Sequence, residues 1–204
     1  MNGALQSAAN VLRQHAPDWL TGVVPALAGI ALHFDADHAG LPADPLEACA
    51  RLLEEALAAA HKAPPAPRLV EVPVCYDPQF ALDIVEVATA TGVAPEDVAR
   101  LHAATEHRVL MVGFAPGQPY IGGLDARLRL PRRATPRTRV VAGSVAIAND
   151  QTAVYPFEIA GGWSVIGRTP LAVFDPRREP PNLLEAGDRV RFVPVSRSEY
   201  ERLK

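Results

Sequence analysis

The densest run of chemically unusual residues is Gly113-Phe114-Ala115-Pro116-Gly117-Gln118-Pro119-Tyr120-Ile121-Gly122-Gly123-Leu124. Four glycines and two prolines there give a loop of fixed shape, and glycines let a ligand or another backbone approach exposed main-chain N–H groups. A tight corner of a β-barrel would use the same composition. The second run is Pro131-Arg132-Arg133-Ala134-Thr135-Pro136-Arg137-Thr138-Arg139. In extended backbone Arg133, Thr135, Arg137 and Arg139 project to one side, concentrating guanidinium groups that hold carboxylate or phosphate in bidentate fashion. A charged edge strand guarded against aggregation is the alternative, and it also accounts for the prolines. The third group, Gln151-Thr152, Tyr155-Pro156, Gly161-Gly162-Trp163 and Gly167-Arg168-Thr169-Pro170, sets hydrogen-bonding side chains, an aromatic platform and a further arginine on neighbouring hairpins. That mixture suits a small polar ligand, although Trp163 by itself reads as core.

Generic catalytic signatures are missing: there is no Walker-type phosphate loop, no Gly-x-Ser-x-Gly elbow and no Cys-x-x-Cys pair. His102-Ala103-Ala104-Thr105-Glu106-His107 is one residue too long for the His-x-x-Glu-His zinc arrangement, and histidines five apart do not share a helix face. His33-Phe34-Asp35-Ala36-Asp37-His38 carries possible ligands but falls where a strand runs into a loop, so it reads as a solvated turn. Ser144 has no companion base and reads as a plain strand serine. No metal site is expected, and no residue is given a proton-transfer role.

The elements that must position these groups divide into two parts. Apolar residues Ala4, Leu5, Ala8, Val11 and Leu12 predict a helix over 4–15, ended by Pro17. Val23-Val24 and Ile30–Phe34 read as two strands of a small sheet. Asp44-Pro45-Leu46-Glu47 is a capping box opening a second helix, with Leu46, Cys49, Ala50, Leu53 and Leu57 as its buried face and an end near His61-Lys62. The extended connector Ala63-Pro64-Pro65-Ala66-Pro67 follows, so the expected domains are a small α+β domain at 1–66 and a second domain at 67–204. In the second, Leu69–Val74 alternates as a strand, helices are expected from Ile84 to a Gly92 stop and from Pro95, and short β-runs begin at Val109. Asn149-Asp150 and Gly161-Gly162 are each expected to turn a hairpin.

Composition narrows the function classes. The chain has 204 residues, 20 Lys+Arg, 23 Asp+Glu and a net charge of −3, which leaves no basic field for general nucleic-acid binding. Its longest apolar stretch, Leu20–Phe34, is broken by Thr21, Gly22, Pro25, Gly29 and His33 and is shorter than the roughly 20 residues a membrane span needs. The first residues lack the basic and apolar regions of a secretory signal, and two cysteines, Cys49 and Cys75, make no disulfide framework, so a reducing cytoplasm is expected.

Residues 113–176, GFAPGQPYIGGLDARLRLPRRATPRTRVVAGSVAIANDQTAVYPFEIAGGWSVIGRTPLAVFDP, closely resemble the signature region of the 5-oxoprolinase B-subunit family. That family is also labelled allophanate hydrolase subunit 1 and includes an inhibitor of a sporulation histidine kinase. The likeness continues through Pro180-Pro181 and Leu184–Phe192, and back through Val72–Tyr76 and Thr91-Gly92. The resemblance implies an α+β chain in which a small α+β N-terminal domain precedes a cyclophilin-like β-barrel. It implies a cytoplasmic hetero-oligomer with the paralogous C subunit of the enzyme and with its A subunit, opening the lactam of 5-oxoproline to glutamate with ATP, and Mg, as co-substrate. No bound metal or organic cofactor is implied for this chain. Candidates for holding substrate or phosphate are Gly117, Tyr120, Gly122, Gly123, Arg132, Arg137, Arg139, Gln151, Thr152, Arg168 and Thr169. A regulatory module that inhibits a sensor kinase, or an allophanate or other amide hydrolase component, are the alternatives. Two departures stand out: the family's first strand and Gly-Asp turn are expected to be lacking, and Gln118 and His107 stand where Phe and Tyr are common.

Overall fold

The computed structural model describes residues 2–60 and 67–204, so the expected helix end at His61-Lys62 and most of the connector lie outside the described residues. The chain forms two compact units, Met1–Pro67 and Arg68–Lys204.

In the first unit α1 (Asn2–Gln14), β1 (Leu20–Pro25), β2 (Ile30–Phe34) and α2 (Pro45–Ala60) follow one another. β1 and β2 pair antiparallel from Leu20↔Phe34 to Pro25↔Ile30. Asp44 caps the first turn of α2, with the Glu47 N–H donating to Asp44 Oδ1 at 2.9 Å, which is one half of the expected capping box, while the Glu47 carboxylate turns to Arg51. Of the expected buried face of α2, Cys49, Leu53 and Leu57 pack against the core, and Leu46 and Ala50 do not. Leu46 is 73% exposed and Ala50 is exposed, whereas Ala48, Ala56 and Ala60 are buried with Ala8, Ala9 and Leu12 of α1. Small side chains at the contact let two helix axes approach closely, and this contact sets the rotation of α2.

In the second unit β3 (Leu69–Val74), α3 (Ile84–Thr91), α4 (Pro95–Ala104), β4 (His107–Val112), β5 (Pro119–Gly122), β6 (Arg137–Val140), β7 (Ser144–Ala148), β8 (Gln151–Val154), β9 (Ile159–Gly161), β10 (Ser164–Arg168), β11 (Arg189–Pro194) and α5 (Arg197–Leu203) follow in order. Seven strands form one sheet in the order β10-β7-β8-β5-β4-β11-β3. Neighbours are antiparallel except β11 and β3, which are parallel. The two edges meet where Cys75 and Arg168 exchange backbone bonds of 2.8 and 3.0 Å, so the sheet curls into a nearly closed barrel.

Strand alternation sorts the residues between two sides. Val145, Ile147, Val154 and Ile166 join Val72, Val74, Ile121 and Phe192 in the interior, together with Val87 of α3 and Leu101 of α4. Ala146, Ala148, Ala153 and Val165 face the other way and pack with Val140, Tyr155 and Trp163. The small pair β6–β9 supplies part of that cover. Asn149-Asp150 turns β7 into β8, with Asn149 at φ 54°. Gly161-Gly162 does not turn a hairpin, because β9 pairs with β6 while β10 pairs with β7. The glycines instead carry the chain from one sheet to the other.

Candidate functional site

Asp83 precedes α3 at the position of a helix cap, yet its carboxylate makes no capping bond. Its oxygens are used elsewhere. Arg137 Nη1 donates to Oδ2 at 2.8 Å and Nη2 to Oδ1, Arg133 Nη1 donates to Oδ1 at 3.0 Å, and the Val165 N–H reaches Oδ2 at 2.6 Å. Arg133 Nη1 also donates to Glu86 at 2.6 Å. Asp83 is 2% exposed, so this is a buried carboxylate whose charge is met by two guanidiniums and whose lone pairs are met by donors. The expected strip of free arginines is corrected accordingly: Arg133 and Arg137 fasten the loop before β6 to the barrel, and Arg139 pairs with Glu158 through two bonds of 2.9 Å.

Beside this hub lies a cleft of about 150 Å³ lined by Phe114, Gln118, Tyr120, Arg132, Arg133, Pro136, Tyr155 and the segment 160–163. Tyr120 meets Trp163 edge-on at 5.7 Å, and the Arg132 guanidinium lies 5.8 Å from the Trp163 ring centre. Gly161 is required here, since a Cβ would stand 2.1 Å from the Tyr155 hydroxyl. Burial pushes the Tyr120 and Tyr155 hydroxyls up from their ordinary values, the former against the pull of Arg132, so both are neutral near pH 7. Gln118 is 3% exposed and its Oε1 has no hydrogen-bond partner. Phe114 is 77% exposed at φ 70°, a left-handed conformation that a bulky side chain rarely adopts. The lining holds aromatic rings, hydroxyls, an amide and guanidiniums, without a carboxylate, imidazole or thiol. Such a surface can bind and orient a small polar ligand, and any proton transfer there needs groups from elsewhere.

Residues 1–184 match the family model described as carboxyltransferase domain, subdomain C and D. The 5-oxoprolinase B subunit of Bacillus subtilis is 40% identical over 210 residues, spanning 100% of this chain and 88% of that protein. The chain belongs to the 5-oxoprolinase B-subunit family. Among solved structures, TTHA0988 superposes with a TM-score of 0.82 at 37% identity over 96% of this chain, which spans 37% of that longer chain. The urea carboxylase of Kluyveromyces lactis superposes with a TM-score of 0.73 at 20% identity, over 98% of this chain and 20% of its own, and so shares the fold.

In this member of the 5-oxoprolinase B-subunit family the three runs singled out from sequence all contribute to the cleft, through Phe114, Gln118 and Tyr120, Arg132 and Arg133, and Tyr155 and Trp163, but the candidates for holding substrate or phosphate are dispersed. Tyr120 and Arg132 line the cleft, and Gly117 lies in the loop that carries Phe114 and Gln118. Gly117, at φ 72°, has Phe174 packed where a Cβ would be, and Gly122 is crowded by Leu110 and Gly123 by the Glu106 carbonyl. These glycines serve close packing within the barrel. Gln151 pairs with Gly122 at the start of β8, whereas the neighbouring Thr152 is fully buried, 3.1 Å from His102 Nε2. The other nitrogen of His102 is 2.7 Å from the Tyr76 hydroxyl, and the His102 carbonyl accepts from His107 Nε2 at 2.8 Å. Burial holds both imidazoles below their usual range, and the nearby His107 makes His102 still harder to protonate. Arg168 lies with its guanidinium 5.0 Å over the Phe80 ring, and Thr169 accepts the Leu171 N–H at 3.3 Å; neither lines the cleft. Sequence reasoning does not pick out Gln118 and Phe114 as ligand-facing groups, although a long polar side chain between Gly117 and Pro119 in an otherwise apolar loop is a usable signal. Among the described residues, no helix is long and apolar enough to cross a membrane, and no three His, Cys, Asp or Glu side chains are grouped to hold a metal ion.

Proposed function

We propose that this chain is the B subunit of a cytoplasmic ATP-dependent 5-oxoprolinase, which opens the lactam of 5-oxoproline to glutamate in complex with the A and C subunits of that enzyme. The observation that carries this reading is the 40% identity, along the whole chain, to a protein named as the B subunit of 5-oxoprolinase. The cleft supports it chemically. A lactam is a poor electrophile, and phosphorylating its oxygen at the expense of MgATP makes the ring carbon attackable by water. This chain's part is to bind and orient: Arg132, placed over Trp163, offers a guanidinium to a ligand carboxylate or phosphate, and the neutral Tyr120 hydroxyl can donate a hydrogen bond. A lining of rings, hydroxyls, an amide and guanidiniums agrees with a subunit that is inactive alone.

The test is glutamate release from 5-oxoproline and ATP by this chain co-expressed with the A and C subunits, against a control lacking this chain. Release that depends on this chain is expected, and Arg132→Ala should lower kcat/KM about tenfold, the loss of one charge-assisted hydrogen bond. A well-formed complex without turnover would shift the reading to another amide such as allophanate. Failure to assemble, with capture of a sensor kinase instead, would make the chain a regulatory module.

A further inference from the structure

We propose that Gln118 reads the ligand of the cleft, and that the ligand presents a hydrogen-bond donor and acceptor side by side on one planar edge. The cis-amide of a lactam ring and the edge of an adenine base both carry that chemistry. The inference rests on the cleft being the ligand site of the proposed function; it is particular to this chain, since Phe is common at this position in the family, and it adds which group selects here and what it selects.

A buried amide oxygen without a partner destabilises a fold, and native structures seldom keep one unless something else completes it. Gln118 Oε1 is such an atom, on a side chain 3% exposed that lines the cleft. The backbone around it is fixed before any ligand arrives. The Gly113 N–H donates to the Gln118 carbonyl at 3.0 Å, the Gln118 N–H donates to Ala115 at 3.1 Å, and Pro119 enters β5 directly afterwards. Gly117, turned at φ 72° against Phe174, holds the loop from the other side. The amide therefore loses little freedom on binding.

A carboxamide sets a carbonyl acceptor beside an NH₂ donor, so it forms two reciprocal bonds with an edge of the opposite order. An adenine edge and a lactam N–C=O have that order. A trans amide points its donor and acceptor to opposite sides, and a carboxylate offers acceptors alone. The ring-opened product, glutamate, has lost the cis-amide edge, so the same residue that admits the ring does not retain the product. The walls agree with a planar ring: Tyr120 and Trp163 stand edge to face at 5.7 Å, and Phe114 is held in a strained conformation at the cleft with most of its ring uncovered. A ring seated in the cleft would bury that exposed face.

Calorimetric titration of the full chain, and of the complex with the A and C subunits, with 5-oxoproline, adenosine and glutamate tests this. The wild-type protein should bind one of the two ring ligands saturably and glutamate at least tenfold more weakly. Binding of 5-oxoproline assigns the edge to the lactam, and binding of adenosine assigns it to the base. Gln118→Leu, whose thermal unfolding should move up or hold because the buried amide is gone, should lose at least tenfold in affinity. Gln118→Glu, nearly the same shape without the donor, should lose as much. Affinity within twofold of wild type in a folded Gln118→Leu protein, or no saturable binding of either ring by chain or complex, overturns the inference. Glutamate release by a Gln118→Leu complex at the wild-type kcat/KM would overturn it while leaving the proposed function standing. A complex that binds the ring through Gln118 and releases no glutamate would do the reverse.

Discussion

Two neighbouring polar regions of the barrel unit are built on opposite rules. At Asp83 the buried carboxylate is surrounded by Arg133, Arg137 and the Val165 N–H, so its charge and lone pairs are answered from within the chain. In the cleft Gln118 Oε1 is unanswered, Phe114 is exposed in a strained conformation, and the Arg132 guanidinium rests on an aromatic ring. Arg133 belongs to both, lining the cleft while its Nη1 is bonded to Asp83 and Glu86 and its buried Nε has no partner. The difference teaches how to separate guanidiniums that hold a fold from groups kept for a ligand. Completed charge marks structure, and buried polar atoms left incomplete beside a cleft are what the proposed binding rests on.

The strongest way to break this comparison is at the hub. Asp83→Asn leaves two guanidiniums facing a neutral amide and should destabilise the barrel by about 3–5 kcal/mol, read from the urea midpoint. A midpoint unchanged from wild type would mean that the hub does not hold the fold. Next in size is acid. His102 and His107 are held neutral by burial, so below the ordinary histidine value of 6.5 the unfolded chain takes up protons that the folded one refuses. Stability should therefore be full above that pH and fall as pH drops, by up to about 1.4 kcal/mol per pH unit for each histidine. Urea unfolding at pH 6.5 and 5.5 reads the slope, and His102→Asn should reduce it. The smallest effect is expected at Arg139, whose pairing with Glu158 is exposed. Arg139→Ala should leave both the urea midpoint and ligand affinity at wild-type values. A tenfold loss of affinity there would restore the arginine strip as a binding surface and erase the distinction drawn above.

Local chemistry explains what is legible in the sequence. Asp44 with Glu47 shapes the start of α2, Gly92 closes α3 at φ 69°, and Asn149-Asp150 turns β7 into β8 because asparagine tolerates positive φ. Resemblance along 113–176 points to the barrel. What escapes depends on partners distant in the chain. Arg133 and Arg137 look like an anion-binding strip until Asp83, 50 and 54 residues away, is folded against them. Gly161-Gly162 has the composition of a tight turn, but composition does not say that the strands on either side belong to different sheets. On α2 the expected Cys49, Leu53 and Leu57 pack inward, but Leu46 stays exposed while Ala48 is buried, because hydrophobicity ranks Leu46 above Ala48 whereas close helix contact favours the smaller residue. Of the cleft, Tyr120, Arg132, Tyr155 and Trp163 stand out through their types, and Gln118 stands out as a long polar side chain in an apolar loop and as a departure from the family.

The position of β11 has a consequence for how the protein is made. Residues 189–194 lie between β4 and β3 and provide the parallel partner of β3. During synthesis β3 is among the first strands of the barrel to leave the ribosome, yet its neighbour in the sheet is almost the last. The nascent chain must hold an unpaired, apolar strand edge while more than a hundred residues are translated, and at about 5–20 residues per second that wait lasts several seconds or longer. A ribosome stalled just before codon 189 should carry a barrel that cannot close, and chaperone occupancy on such chains should drop once β11 has emerged.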